Sequence, residues 1–483
     1  MEIVLLTSTV TETPRLYRHL GPYQIAWYLR QHGYTVQVID FAHLLTDEQL
    51  NAALKKFVTS DTKIFGFSFM GFFDFSNWWV KKVCKDIIPK LKKRHPQLKV
   101  VTGGSCVHDL CRLERNGEVF DYCIYGHAED TLLALCDRIF RNGDPVPFEI
   151  SFGNRVIREH MVPAKFNICN CSHRWSDQDC IQQGESLPIE ISRGCIFKCK
   201  FCRYPYIGKS KDDFTRSMDE LKDELLDNYS RWGITNYFML EDTFNDRNDK
   251  LKAFEAMTKT LPFQLNYAAY LRPDLIWSNP GQAELLENSG LNSCFLGVET
   301  FNPEAADLIG KGWSGKHGKN FLLELNNNIW QARIPFLVSM IVGLPGDTKN
   351  TLQEHNNWLI DNQMPNWRWH LLNVNRDLTG PWVSEFDRNA KNYGFEWELW
   401  NGKPVWKTKY MTYIEARELR TELDAQAFDH KLIDCWAVLE RANLGYDPKT
   451  ERYRKKKDVA NLPDAPKRIA FVENYFKDLM SIV

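Results

Sequence analysis

The chain lacks any run of about 18 apolar residues, so a membrane-crossing helix is not expected. It also lacks an excess of either charge. Its 61 Lys and Arg against 62 Asp and Glu leave a formal net charge of −1, so no global field draws it to nucleic acid. Its first residues, MEIVLLTSTV, place no basic segment ahead of a short apolar run, and they read as a first strand, not an export signal. The even cysteine set of a disulfide framework is missing too. The 13 cysteines are odd in number, which points to a reducing compartment, and a cytoplasmic protein is expected. What is present is ordinary for a globular protein: 43% hydrophobic and 25% charged residues, in a 483-residue chain long enough for two to four domains of about 150 residues each.

Four regions are expected. Residues 1–140 alternate short apolar runs (Glu2–Leu6, Thr35–Asp40, Lys63–Met70, Leu98–Thr102, Asp121–Tyr125) with amphipathic segments, the pattern of a Rossmann-like parallel sheet covered on both faces. Gly71, Gly103, Gly104 and Gly126 fall near strand ends, where such sheets bind ligands; as plain turn residues they need no ligand at all. Residues 141–187 form a Pro- and Gly-rich connector holding Cys169, Cys171, His173 and Cys180. Their spacing matches no standard zinc pattern, and a second metal site stays an open alternative.

Residues 188–375 alternate again over six strand candidates: Pro188–Ser192, Thr235–Leu240, Gln264–Tyr270, Ser293–Glu299, Pro335–Val342 and Trp367–Val374. Pro188 and Pro335 are each expected to open a strand. Ser217 and Glu220 suggest a capping box for the first helix, whose apolar face should carry Leu221, Leu225 and Tyr229. Six strand–helix steps make a partial (β/α)6 barrel with its reactive end at the carboxyl ends of the strands. Residues 376–483 lose the alternation and read as a mainly helical C-terminal cap. Seven of the 16 tryptophans fall between Trp358 and Trp406, and a basic run spans Arg452–Lys457. Aromatics beside basic residues allow base stacking, although core tryptophans and a solvated charge run explain them as well.

One cysteine subset has a chemical spacing. After the first barrel strand comes Ser-Arg-Gly-Cys195-Ile-Phe-Lys-Cys199-Lys-Phe201-Cys202, a C-x3-C-x2-C loop. Structural zinc takes four closed ligands, and a four-iron four-sulfur cluster usually takes four cysteines. Three thiolates without a fourth nearby would leave one iron open to a substrate or cofactor.

The chain from 188 to 375 therefore resembles the radical S-adenosylmethionine (SAM) enzymes. The resemblance implies that Cys195, Cys199 and Cys202 ligate a 4Fe-4S cluster whose open iron chelates SAM, with Phe201 packed beside it. Reductive cleavage then yields a 5′-deoxyadenosyl radical, which abstracts hydrogen from a substrate. It implies further cofactor contacts at strand ends: Glu241 and Asp242 near the SAM amino group, Arg272 on its carboxylate, Glu299 on the ribose, and Gly343 against adenine. A flavodoxin- or ferredoxin-type electron donor and a small-molecule or peptide substrate are implied as partners, without a membrane.

The N-terminal region resembles the cobalamin-binding (B12) domain that precedes the barrel in one branch of that superfamily. The likeness is carried by Leu20–Ala26, Gly33–Val36, Gly103-Gly104 and Tyr125–Asp130. It implies cofactor contacts at Ser68, Gly103, Gly104 and Gly126. The D-x-H-x-x-G ligand motif of cobalamin mutases is absent. With cobalamin the expected reaction is methyl transfer to an unreactive carbon. The alternatives are a cobalamin-independent rearrangement or oxidation, nucleic-acid modification, or a non-enzymatic iron–sulfur or zinc protein.

Overall fold

The structure is a computed structural model of the chain. It describes residues 1–8, 16–68, 78–104, 119–151, 153–203, 214–311, 315–331, 333–376, 383–430, 442–445 and 465–483. Its contacts divide into two units, Met1–Pro188 with Asp223–Ile234 and Asp464–Val483, and Ile189–Lys222 with Thr235–Pro463.

The first unit is built on β1 (Ile3–Leu6), β2 (Val36–Ile39), β3 (Ile64–Ser68), β4 (Lys99–Gly103) and β5 (Tyr122–Tyr125), parallel in the order 2-1-3-4-5. Every residue of β1 and β2 is buried, as a parallel sheet covered on both faces requires. That order reverses direction between β1 and β3, which opens a crevice at the carboxyl ends of those two strands. The connector contributes strands that its composition did not suggest. β6 (Glu149–Ser151) and β7 (Asn154–Arg158) form an antiparallel pair, and β7 runs parallel to β5. Asn154-Arg-Val-Ile-Arg158 is the kind of β-branched run that pairs at a sheet edge.

The centre of this unit is polar. Arg18, 2% exposed, directs Nε to Glu185 Oε1 at 2.5 Å and Nη1 to the Tyr23 hydroxyl at 2.6 Å. Tyr23 donates to Asp40 Oδ2 at 2.8 Å, and the Asp40 N–H donates to the Tyr475 hydroxyl at 2.7 Å. The guanidinium also lies over the rings of Tyr23, Phe41 and Tyr475. Tyr475 comes from the last helix, Ala465–Ser481, which packs in this unit and not with the rest of the C-terminal stretch.

The second sheet runs β8 (Ser186–Ile189), β9 (Asn236–Met239), β10 (Asn266–Leu271), β11 (Leu291–Glu299), β12 (Phe336–Val342) and β13 (Asn366–Leu371), in consecutive order, with β8 and β13 as edges. β9 through β13 pair in parallel. Pro188 is the third residue of β8 and does not open it; an edge strand tolerates the missing N–H. Pro335 does stand immediately ahead of β12. The helix Met218–Trp232 buries Leu221, Leu225, Asn228 and Trp232 and exposes Tyr229. At 3.6 residues per turn the stripe passes through 228, not the expected 229. Ser217 Oγ accepts from the Asp219 N–H at 3.2 Å at the start of this helix.

Side chains alternate across this sheet. Tyr237 and Tyr267 face the helix layer, where the Phe254 ring meets Tyr267 at 5.6 Å. Phe238, Tyr270 and Phe295 face the other way, into the lumen of the partial barrel, and are part-exposed.

The C-terminal region is not purely helical. β14 (Glu396–Trp400) and β15 (Lys403–Lys407) form an antiparallel hairpin, joined by Asn401 and Gly402 at φ 50° and 75°. The helix Tyr413–Ala427 follows, with Thr412 capping its first turn.

Candidate active site

The cysteine loop leaves the end of β8 and is pinned from two sides at Lys200. The Lys200 N–H donates to Ile309 O at 3.1 Å, and Lys200 O accepts from the Phe386 N–H at 3.0 Å. Beyond Cys202, Arg203 grips the buried Asp387 carboxylate through two bonds of 2.8 and 2.7 Å. Cys195 is buried, and Cys199 and Cys202 are part-exposed. Burial pushes the Cys195 thiol up; Thr243 Oγ1, 3.5 Å from its sulfur, acts in the opposite sense, and the Asp242 charge adds to the rise.

Arg272, at the end of β10, aims Nη1 at Cys199 Sγ, 3.4 Å away. Its guanidinium is held by Asp274 through bonds of 3.1 and 2.7 Å and lies 4.0 Å over the Phe197 ring. Asn245 fixes the backbone here, accepting from the Arg272 N–H at 2.9 Å and donating to Arg272 O at 2.9 Å. The structure thus brings Cys195, Cys199, Asp242 and Arg272 together. Arg272 is committed to Asp274 and a cysteine sulfur, where the sequence suggested a SAM carboxylate. Thr243, Asp274 and Asn245 were not singled out from sequence; each lies beside a strand-end residue that was.

Glu241 and Asp242 separate. Asp242 is exposed, whereas Glu241 is buried and turns Oε1 to the N–H groups of Ile191 and Ser192, the latter at 2.8 Å. Burial pushes its carboxyl up to about 7, against the pull of Lys250 and those N–H groups. Glu241 therefore fixes the strand end that launches the cysteine loop. Lys250 makes a buried ion pair with Asp246 nearby.

Glu299 stands at φ 70°, uncommon for a residue with a side chain, at the end of β11. Ser339 donates to its Oε2 at 3.2 Å, and Lys311 Nζ lies 3.4 Å from its Oε1. Gly343, at φ 102°, follows β12, and the space a Cβ would need is taken by the buried Trp406 ring. Asp347, four residues on, is fully buried, and burial pushes its carboxyl up to about 8. Phe201 is part-exposed within the loop.

In the first unit Ser68 and Gly103 are register partners at the carboxyl edge of β3 and β4, with Gly104 next. At Gly126 a Cβ would collide with the Glu159 carboxyl group, which accepts from the His127 N–H at 2.7 Å. Gly71 lies outside the described residues. Near the crevice between β1 and β3, the buried Thr7 Oγ1, His19 Nε2 and His43 Nε2 have no hydrogen-bond partner. Burial holds both imidazoles down to about 4, so they are neutral near pH 7. Ser8 Oγ contacts His43 Nδ1. A neutral ring with its second nitrogen so engaged is the form that ligates metals.

Among the described residues no three His, Cys, Asp or Glu side chains gather as one metal ion requires. The connector residues are likewise dispersed: Cys171 Sγ accepts from Gln24 at 3.2 Å, and His173 packs edge-on against Trp27 and Trp175. Trp367, Trp369 and Trp406 are at most 1% exposed and belong to the core. Arg452–Lys457 lie outside the described residues. No described helix is long and apolar enough to cross a membrane.

The Radical SAM superfamily model matches residues 189–359. An uncharacterised methyltransferase of Pyrococcus horikoshii is 22% identical over 372 residues, covering 73% of this chain and 76% of that one. The radical SAM methyltransferase TsrM of Kitasatospora setae, solved with cobalamin and a [4Fe-4S] cluster, superposes with a TM-score of 0.67 over the full length of both chains at 15% identity. The cobalamin-dependent SAM radical enzyme OxsB, solved with aqua-cobalamin and SAM, gives 0.56 at 16% identity, covering 98% of this chain and 66% of that one. These structural likenesses establish a shared fold, with an N-terminal parallel sheet ahead of the six-stranded one. The match over residues 189–359 implies a 4Fe-4S cluster and SAM as cofactors. Residues 189–359 thus form a radical SAM domain, and the chain that carries it is an enzyme.

Proposed function

We propose that the chain is a cobalamin-dependent radical SAM methyltransferase acting on a small molecule or peptide. When bound, the reduced cluster and SAM supply a 5′-deoxyadenosyl radical for hydrogen abstraction, and cobalamin supplies the methyl group. Cys195, Cys199 and Cys202 would hold the cluster. Asp242 is the exposed carboxylate beside them, suited to a cationic amino group. Glu299, fixed by Ser339 and Lys311, would orient ribose hydroxyls, and the backbone at Gly343 would meet adenine.

The observation that carries the cobalamin reading is the set of orphaned polar atoms on Thr7, His19 and His43 near the switch-point crevice of the first sheet. A polar cofactor would satisfy them, and TsrM and OxsB, which share this two-sheet fold, were solved with cobalamin. The test is anaerobic reconstitution with iron, sulfide and hydroxocobalamin, followed by spectroscopy and a SAM-cleavage assay. Retained corrinoid absorbance and SAM-dependent formation of 5′-deoxyadenosine are expected. Cys199→Ala should abolish cleavage while keeping the fold. A full cluster that leaves SAM intact would overturn the reading, and cleavage without corrinoid retention would leave a cobalamin-independent radical enzyme.

A further inference from the structure

The lumen of the six-stranded sheet carries more than the strand-end residues already described. Four rings from four strands form a continuous lining. Phe238 of β9 meets Tyr270 of β10 at 5.7 Å, Tyr270 meets Phe295 of β11 at 5.0 Å, and Phe295 meets His370 of β13 at 6.2 Å. All four are part-exposed, while their strand neighbours Tyr237, Cys294 and Trp369 are fully buried beneath the helices.

The direction of His370 follows from its neighbours. The Trp367 and Trp369 indole N–H groups both donate to Asn356 Oδ1 at 3.0 Å, so those residues face the helix Lys349–Asp361. Strand alternation then turns Arg368 and His370 to the lumen. Arg368 is exposed there, and His370 Nε2 is buried with no hydrogen-bond partner. A buried ring nitrogen left open costs free energy unless a ligand satisfies it. Burial is also the main cause that keeps this imidazole neutral, with Arg368 and Arg420 acting in the same sense and Asp424 against them. A neutral imidazole can accept a hydrogen bond, which an imidazolium cannot.

We infer that the lumen takes a flat aromatic carboxylate as substrate, its ring against Phe238, Tyr270 and Phe295, a ring N–H donated to His370 Nε2, and its carboxylate met by Arg368. Aromatic walls select planar rings through offset and edge-to-face contacts. An acceptor placed for a substrate N–H discriminates strongly against analogues that lack it. The inference rests on the radical SAM reading, because that reading makes the lumen the substrate chamber.

The test is calorimetric titration of the reconstituted protein with three probes. Indole-3-propionate has the flat ring, the N–H and the carboxylate; its 1-methyl derivative lacks the N–H; cyclohexanepropionate lacks the flat ring. Indole-3-propionate should bind at least tenfold more tightly than the 1-methyl compound, and cyclohexanepropionate more weakly still. His370→Phe should erase the difference between the two indoles, and Arg368→Gln should weaken both indole acids alike. Equal binding of all three probes, or unchanged discrimination in His370→Phe, would overturn the inference. Cluster absorbance recorded on each sample separates the two failures. Absent absorbance in the parent protein counts against the superfamily chemistry, whereas probe binding that fails at full cluster content counts against this inference alone.

Discussion

Arg272 Nη1 lies 3.4 Å from Cys199 Sγ while the same guanidinium is clasped by Asp274. A cationic donor on a cluster thiolate stabilises the more negative, reduced state and so raises its reduction potential. Arg272→Gln is therefore expected to lower the midpoint potential of the reconstituted cluster. At a fixed potential the reduced-to-oxidised ratio should fall about tenfold, which is 59 mV for a one-electron couple. A redox titration followed by electron paramagnetic resonance reads this directly, and an unchanged midpoint would show that the contact carries no electronic weight.

Glu241 gives a pH signature of stability. Its carboxyl is pushed from 4.5 up to about 7 by burial. Between those values the folded protein keeps a proton that the unfolded chain has released, so this group's contribution falls as pH rises from about 4.5 to 7. Glu241→Gln keeps an oxygen for the Ile191 and Ser192 N–H groups without a charge to bury. Its melting temperature should decline less than the parent's between pH 5 and pH 7.5; parallel curves would refute the assignment.

Gly343 is closely constrained. Gly343→Ala places a methyl group against the Trp406 ring at a backbone angle of 102°, and a loss of about 1–3 kcal/mol is expected from the strained backbone alone. Chemical denaturation measures the loss. Trp406→Leu in the same chain should recover part of it, because the clash is with the indole.

Tyr475→Phe leaves the buried Asp40 N–H without its acceptor, at a cost of about 1–3 kcal/mol. Arg18→Met should cost more, about 3–5 kcal/mol, since it strands the buried Glu185 carboxylate. Urea unfolding of both variants should show this order, and a smaller effect for Arg18→Met would contradict the role given to its ion pair.

Much of this was readable from the chain because periodicity and spacing are local. The six-fold alternation located β9 to β13 within a few residues, and the C-x3-C-x2-C loop was visible without any structure. What escaped depended on which way a side chain turns. Adjacent Glu241 and Asp242 look equivalent in a string, but they have different surroundings: Glu241 is buried against backbone N–H groups, whereas Asp242 is exposed with its charge acting on Cys195. Arg272 could be placed at a strand end, but its commitment to Asp274, two residues on, required coordinates. The β14–β15 hairpin has a local mark that the expectation of a mainly helical cap does not use: Asn401-Gly402 between alternating Trp and charged residues favours a hairpin. Tryptophan density alone allows either a stacking surface or a core, and Trp367 and Trp369 belong to the core, where both donate to the buried Asn356 Oδ1.

The bond between Asp40 and Tyr475 joins residues 435 positions apart. At about 5–20 residues per second of synthesis, the ribosome supplies the partner at least some 20 seconds after Asp40 appears. In that interval every strand of the six-stranded sheet is made, while Arg18, Glu185 and Asp40 wait without their closing hydroxyl. The sheet that holds Asp40 is thus completed only after the six-stranded sheet has been made, and newborn chains stalled before position 475 should expose that unfinished sheet to proteases and chaperones.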